Sequence, residues 1–506
     1  MTETKKCAWF SAKVRELSGK MWNPLTEHKV IPENKNGTIM ERHVNTNAIT
    51  TFENIKIASD AKIKTAKIAE EHKKKISELS SVAPTYEARK AELNTKYERK
   101  QINADKVIRA KMIKIYPNSA QRATLKLWFA ECSRVYNKCV DLYNENPSNF
   151  PLNFKKSKLI VFSALYPAEQ DKGCPYDILT DEVKTFCANV KSCLSNLAGG
   201  HIEGFKMKPK NTSVNQCIGV PKTAVKKGSF YPSYLGRMSG LDAETCECDS
   251  RVSYNHARDN YFMFLPQYRE KTIIADRADF VALDPGERIF QTYYSPSEWG
   301  KIGEDSRGRI LKYESKIRKF QRILSKMEKD KCKSKTRGKI KNKINRAYCK
   351  IKNIVKEMHN QTCNFLCKKF DTILIPEFKT QGMVRRDGKK KIKATVSAMK
   401  TNDAAKSQFR EYSKKVRLTG RVKFVLNMQS HYKFRQQLLA KAEEYGCRVE
   451  VVGEEYTSQC CTFCGFLSST YSNRIKHCDK CASTINRDLN GARNILLKNY
   501  KKIIRL

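Results

Sequence analysis

Two short cysteine pairs constrain this chain more than any other feature. Cys461-Thr-Phe-Cys464 and Cys478-Asp-Lys-Cys481 are separated by the thirteen residues 465–477. Two CxxC pairs at this spacing suit a ribbon whose four thiolates close on one structural zinc. A segment this small cannot bury a core of its own, so metal binding supplies much of its folding free energy. The sequence therefore predicts a zinc ribbon over 457–483 with Cys461, Cys464, Cys478 and Cys481 as ligands of one Zn²⁺. Cys460 competes for the first position, but its spacing to Cys464 is CxxxC, which favours Cys461. Four thiolates leave no open coordination position, so any hydrolytic metal must sit elsewhere.

The ribbon runs straight into RDLNGARNILLKNY, an amphipathic helix. What such a module does beside that helix depends on the partner of the whole chain. The sequence has 506 residues, with 98 Lys plus Arg against 52 Asp plus Glu and a formal net charge of +46. That excess repels itself unless a polyanion is near, and nucleic acid is the first candidate. A hydrophobic share of 40% excludes wholesale disorder. No run of about 18 apolar residues is present, so no membrane partner is expected. The opening MTETKKCAWF lacks an apolar stretch after its basic residues and does not read as a secretory signal. The nineteen cysteines are mostly scattered singly through a large Lys-rich chain, which fits a reducing compartment better than a disulfide scaffold. RRDGKKKIK at 385–393 and KCKSKTRGK at 331–339 could be read by nuclear import.

Along the chain, the first 60 residues show no firm period, and 60–111 reads as two solvent-bathed helices broken at Pro84. Leu125, Trp128, Phe129, Cys132, Val135 and Tyr136 share one helical face, so Trp128 and Tyr136 are expected in a core rather than as base-stacking platforms. A helix over 181–197 ends at Gly199-Gly200, followed by short strands such as GSFYPSYL (228–235) and YFMFLP (261–266). Phe280 to Leu283 forms a buried strand ending at Asp284 and a Pro-Gly turn. Ile289 to Tyr293 forms a second strand. Two basic helices over 307–368 are separated by KCKSKTRGK and suit contact with a phosphate backbone. KKFDTILIPEF is another buried strand with Glu377 at its carboxyl end. A basic loop over 379–395, a helix over 434–447 and a strand from Arg448 follow. Strand, crossover helix and strand in succession indicate an α/β layer, whose sites collect beyond the carboxyl ends of the strands.

Three carboxylates stand at such places: Asp284 and Glu377 at strand ends, and Asp488 in the first turn of the last helix. Phosphodiester hydrolysis by two divalent ions about 3.5–4 Å apart needs carboxylates that bridge and flank them, and Mg²⁺ prefers such hard oxygen donors. Taken singly, Asp284 also reads as a turn residue, Glu377 as a surface anchor and Asp488 as a helix cap.

Asp284-Pro-Gly286, strand-terminal Glu377, Thr457-Ser458-Gln459 before the first CxxC, and Arg487-Asp488-Leu-Asn490-Gly-Ala492-Arg-Asn494 occur in an order that resembles the TnpB and Fanzor proteins, RNA-guided DNA endonucleases of transposable elements. YPN at 116–118, RVYN at 134–137 and GFKMK at 204–208 are similar to the family's amino-terminal lobe, so the resemblance covers roughly residues 110–500. It implies a multidomain α/β fold. The nuclease would be an RNase H-like (RuvC) fold split in sequence, with an inserted zinc ribbon and a helical plus small β recognition lobe. It maps two Mg²⁺ ions onto Asp284, Glu377 and Asp488. It implies as partners a guide RNA of the omega type and double-stranded target DNA with a short adjacent motif, in a monomeric ribonucleoprotein. The guide would lie in a basic channel between the lobe and the nuclease half.

The resulting division is a Lys-rich helical extension over 1–110, the recognition lobe over 111–276, nuclease segments over 277–456, the ribbon over 457–483 and the final nuclease helix over 484–506. Two positions depart from the family pattern. Phe378 follows Glu377 where an Asp is usual, and Asn486 stands where the third motif often begins with Asp. The long Lys-rich start leans towards the eukaryotic or giant-virus type. Such a protein would act in the nucleus of a eukaryotic host, or otherwise in cytoplasm or a viral replication compartment. Rival readings are a DNA transposase using the same acids and a catalytically silent RNA- or DNA-binding protein.

Overall fold

The computed structural model describes residues 65–79, 86–166, 173–211, 215–226, 228–241, 246–256, 258–274, 276–330, 333–384, 418–468 and 474–504. The first 64 residues and the basic run at 385–393 lie outside them. The described chain divides into two compact units, Lys106–Glu270 and the residues on either side of it. Among the described residues no helix is long and apolar enough to cross a membrane, and no cysteine is in a disulfide.

Ahead of the first strand, a helix over 65–77 and α1 (Tyr86–Ile102) meet where His72 stacks on Tyr97 at 4.2 Å. The helical stretch expected to reach Lys111 stops earlier. Val107 and Ile115 are buried at the two ends of an extended segment, so the chain is already strand at 107, and the compact unit begins at Lys106 rather than at 111.

That unit holds β1 (Val107–Ile115), α2 (Ser119–Glu145), α3 (Phe154–Leu165), α4 (Tyr176–Ala198), β2 (Gln216–Val220), β3 (Ser250–Asn255) and β4 (Asn260–Arg269). The four strands form an antiparallel sheet in the order β1-β4-β3-β2. Asn118 opens α2 with a reciprocal cap: its side chain accepts from the Gln121 N–H, while the Gln121 side chain accepts from the Asn118 N–H. The apolar stripe of α2 is core, as its spacing required. Trp128 is fully buried and donates Nε1–H to the Gly173 carbonyl at 3.0 Å. Tyr136 packs edge-on against Phe186 and accepts from Asn189 through its hydroxyl. The expected strand over 228–235 is not formed. Only Ser229–Phe230 pairs, with Val225–Lys226, and Pro232 then opens a single helical turn, a position that needs no N–H.

The second unit contains β5 (Ala278–Pro285), β6 (Gln291–Tyr294), β7 (Trp299–Ile302), α5 (Ser306–Lys329), α6 (Ser334–Lys369), β8 (Phe370–Pro376), α7 (Gly420–Gln429), α8 (His431–Tyr445), β9 (Arg448–Val452), β10 (Ile475–His477), β11 (Thr484–Asn486) and α9 (Arg487–Ile504). Its five-stranded sheet has the order β9-β8-β5-β6-β7. The first three strands in sequence form an antiparallel meander, and β8 and β9 join parallel to β5. The break between α5 and α6 is shorter than KCKSKTRGK suggests, because its Lys- and Arg-rich second half favours helix and α6 resumes at Ser334.

Strand alternation decides which residues face which layer. Val281 and Leu283 of β5, with Ile373 and Ile375 of β8, pack towards α6 and α8. Ala282, Leu374 and Val452 pack on the other face against Leu489, Ala492, Ile495 and Leu496 of α9. Asp284 continues the Ala282 side, so the period of two points it towards α9.

Candidate active site and zinc centre

Because β5, β8 and β9 are parallel, their carboxyl ends open on one edge of the sheet. Ala282 pairs with Leu374, and Pro376 pairs with Val452. Counted two residues along the ladder, Asp284 lies level with Pro376 and Val452. Glu377 is then one residue past that level and Glu454 two.

Asp284 is half-buried, and α9 crosses close above it. A methyl group built on Gly491 would come within 2.5 Å of Asp284 Oδ2. Asp488 lies one turn earlier on α9, on the same face as Gly491. Burial, followed by the charges of Asp488 and Glu454, pushes the Asp284 carboxyl well above the usual carboxylate range, with Arg487 opposing. Glu454 is raised by burial and by Glu455, with Lys498 opposing and Glu377 adding to the rise. The carboxylates thus form a chain of neighbours: Asp488 and Glu454 act on Asp284, and Glu377 acts on Glu454.

Glu377 is the outlying member. Its side chain is 54% exposed and pairs with Lys379 at 3.0 Å. Its backbone carbonyl accepts from Arg435 Nη1 at 2.8 Å, and Phe378 takes a left-handed backbone (φ 40°) with its ring edge-on to His431. Among the described residues, no three carboxylates bring ligand atoms within 4.8 Å of one another; only the four ribbon cysteines do. Sequence reasoning passed over Glu454, although the signal was present: it follows the carboxyl end of a parallel strand, as Asp284 and Glu377 do.

Asn486 settles what caps α9. Its side-chain oxygen accepts from the N–H groups of Asp488 and Leu489 at 3.0 and 3.3 Å. The departure from Asp to Asn at this position keeps a capping acceptor, and Asp488 is not needed for that purpose.

The cysteines form the second centre. Cys461 Sγ lies 3.8 Å from Cys481 Sγ, and Cys464 Sγ lies 3.6 Å from Cys478 Sγ. Zn–S bonds of about 2.3 Å in a tetrahedron put sulfurs about 3.8 Å apart, so the donor set fits a structural zinc. Cys460 lies outside this group and is fully buried with Leu497 of α9, with Tyr456, Leu467 and Tyr500 around them.

Three buried polar side chains of α9 fasten the ribbon. Asn490 accepts from the Thr462 N–H and donates to the Cys460 carbonyl. Asn494 donates to the carbonyls of Thr457 and Cys460 at 2.8 Å each. Arg493, 1% exposed, donates Nη1 to the Thr462 carbonyl and hydroxyl at 2.6 and 2.7 Å, and Nε to the Tyr294 hydroxyl.

Residues 431–495 match the family model described as Cas12f1-like, TNB domain. The chain is 26% identical over 429 residues to the TnpB-like protein L79 of Acanthamoeba polyphaga mimivirus, covering 81% of this chain and 76% of that protein. The chain is similar to giant-virus TnpB-like proteins over most of its length. It is also 25% identical over 405 residues to the putative RNA-guided DNA endonuclease InsQ of Escherichia coli (strain K12), covering 78% and 93% of the two chains. Similarity rises over a short stretch to 40% over 79 residues with the CRISPR-associated endodeoxyribonuclease Cas12f1 of Sulfoacidibacillus thermotolerans, 15% of this chain and 18% of that one.

Proposed function

We propose that the protein is an RNA-guided, Mg²⁺-dependent DNA endonuclease of the TnpB/Fanzor type, with a RuvC-like active site built from Asp284, Glu377 and Asp488 and joined by Glu454. The observation that carries the reading is the gathering of carboxylates at one sheet edge, where the end of β5, the first turn of α9 and the segment after β9 meet. Three features support it. An antiparallel meander extended by two parallel strands is the order expected of an RNase H-like nuclease. A relative aligned over 93% of its own length is described as a putative RNA-guided DNA endonuclease. The net charge of +46 suits a chain that holds both RNA and DNA.

When bound, two divalent ions supply an activated water and neutralise charge on the leaving oxygen. Asp284, which neighbours both Asp488 and Glu454, would be the central carboxylate holding such ions. Asp488 from α9, and Glu377 with Glu454 from the strand ends, would supply the remaining carboxylate ligands. Assembling these like charges in one half-buried place costs free energy that a divalent cation offsets, which is the physical reason the donor set fits such an ion. Arg487, beside Asp488 at 3.7 Å, is placed to meet a phosphate oxygen. On the exposed face of α5, Arg322, Lys326 and Lys329 stand at helical spacing and offer cations along a phosphate backbone. Sequence would be read by pairing with the guide, while the protein senses the heteroduplex by shape. The zinc ribbon has no open ligand position and takes no part in the chemistry. In a eukaryotic host this activity belongs in the nucleus.

The test begins with RNA sequenced from the purified protein, followed by cleavage of DNA matching its variable segment in Mg²⁺. Guided cutting in wild type and its loss in Asp284→Asn and Asp488→Asn, with guided DNA binding retained, is the expected result. Cutting at element ends without RNA would replace this reading with a transposase. No metal-dependent cutting by the RNA-loaded protein would leave a binding protein.

A further inference from the structure

The α9 helix carries two stripes of side chains with different partners. Asp488, Gly491, Ala492 and Ile495 form one stripe facing the sheet, where Gly491 approaches Asp284 and Ala492 and Ile495 are fully buried. Asn490, Arg493 and Asn494 form the other stripe, set apart from Asp488 by about 200°, about 140° and about 240° of helical rotation at 3.6 residues per turn. Every hydrogen bond these three make to the ribbon goes to residues that flank the zinc ligand Cys461: Thr457, Cys460 and Thr462. Asn490, Arg493 and Asn494 are at most 1% exposed, and the partners are mostly backbone groups, whose positions depend on how the knuckle at 461–464 is folded.

We propose that the zinc ribbon is a splint for the acid-bearing turn of α9: Arg493, with Asn490 and Asn494, is a positioning residue that ties the placement of Asp488 over Asp284 to the folded, zinc-loaded knuckle. The proposal rests on the nuclease reading for its consequence at the acid site, but its structural half does not depend on that reading. The polar side chains can be buried only while the knuckle presents Thr457, Cys460 and Thr462 in this geometry. If the knuckle relaxes, buried donors and acceptors on α9 lose their partners, and the helix must shift or admit water. Because the same two turns carry Asp488 and Gly491, that shift alters the spacing of the carboxylates. Buried Arg493 also bridges to the sheet itself through the Tyr294 hydroxyl at 3.3 Å, so ribbon, helix and β6 meet at one guanidinium.

The test uses the full-length protein in zinc-loaded and chelator-stripped forms, with two readouts. The first is Mn²⁺ binding followed by electron paramagnetic resonance, with Asp284→Asn defining the acid-site portion. The second is amide hydrogen exchange over Leu489–Asn494. Zinc removal, and Arg493→Met with zinc still at one per chain, are expected to weaken acid-site Mn²⁺ binding at least tenfold and to speed exchange at these amides. Arg493→Lys restores neither, because an ammonium cannot reach Thr462 and Tyr294 together. Asn494→Leu is the second variant should Arg493→Met not fold. Mn²⁺ affinity and exchange that stay at wild-type values after zinc removal would overturn the proposal. Wild-type protein with no Asp284-sensitive Mn²⁺ binding would refute the nuclease reading instead, and the exchange measurement would then decide the splint alone.

Discussion

Acidification should destabilise the larger unit through two buried histidines, well before most carboxylates titrate. His359 and His431 are 4% and 5% exposed and each stacks on Phe290, at 5.2 and 5.0 Å. His359 Nε2 donates to the Gln429 carbonyl at 2.9 Å, which leaves Nδ1 to accept any added proton. His431 Nδ1 is buried without a hydrogen-bond partner. Burial lowers His359 from 6.5 to about 4, with the Gln429 carbonyl opposing and Lys433 adding to the fall. Burial and the neighbouring His359 lower His431 from 6.5 to about 3. A histidine depressed in the folded state leaves stability undiminished above the unfolded value near 6.5. Below it, the unfolded chain takes up protons that the folded chain refuses. At about 1.4 kcal/mol per pH unit, His359 alone removes about 3 kcal/mol between pH 6.5 and 4. With both histidines active, the slope near pH 5.5 approaches about 2.7 kcal/mol per pH unit. Urea unfolding followed from pH 7.5 to 5 should show this slope, and His359→Gln should roughly halve it. Histidine-selective ¹³C labelling supplies the direct measurement, with two of the eight histidine signals unmoved until well below pH 5. Titration of both near 6.5, or an unchanged slope in His359→Gln, would refute the reasoning.

Three further outcomes follow from the geometry. Cys461→Ser should reduce zinc content below one per chain by elemental analysis, while Cys460→Ala keeps it full; the reverse would exchange their assignments. Glu454→Gln should slow guided cleavage at limiting Mg²⁺ at least tenfold, and by no less than Glu377→Gln, because Glu454 is the one whose charge reaches Asp284; a wild-type rate would remove Glu454 from the site. Trp128→Ala should lower the stability of the 106–270 unit by about 3–5 kcal/mol through cavity formation and loss of the Gly173 hydrogen bond. Differential scanning calorimetry would detect it as a selective shift of one transition, and an unshifted profile would show that Trp128 is not core.

The strands of the larger unit were legible because they are short buried runs bounded by turn residues. Phe280–Leu283 and Phe370–Pro376 each carry more β-branched and aromatic side chains than their surroundings, and the crossover helices between them fix parallel pairing. The ribbon was legible from spacing alone. GSFYPSYL misled because its aromatic alternation outweighs Pro232 in a pattern reading, whereas the missing N–H and fixed φ decide the backbone. The start of β1 was hidden by Lys106, Arg109, Lys111 and Lys114, which continue the charged pattern of the helix before it and leave buried Val107 and Ile115 as the strongest marks. Asn490, Arg493 and Asn494 read as an ordinary polar stripe on a terminal helix. Nothing local shows that their partners lie some thirty residues earlier, because hydrogen bonds to backbone leave no pattern in the partner's side chains.

The sheet layer that receives α9 is completed late in synthesis. Tyr294, whose ring and hydroxyl are covered in the finished molecule, is made 194 residues before Asp488. At a ribosomal pace of about 5–20 residues per second, that interval is roughly 10–40 s. Throughout it, Ala282, Tyr294 and, once made, Leu374 have no helix above them, and Asp284 has no Asp488 beside it. The nascent protein therefore carries an uncovered apolar face and an incomplete acid cluster. Chaperones would find a surface to shield, and the carboxylates that are neighbours in the finished molecule stay apart until α9 arrives.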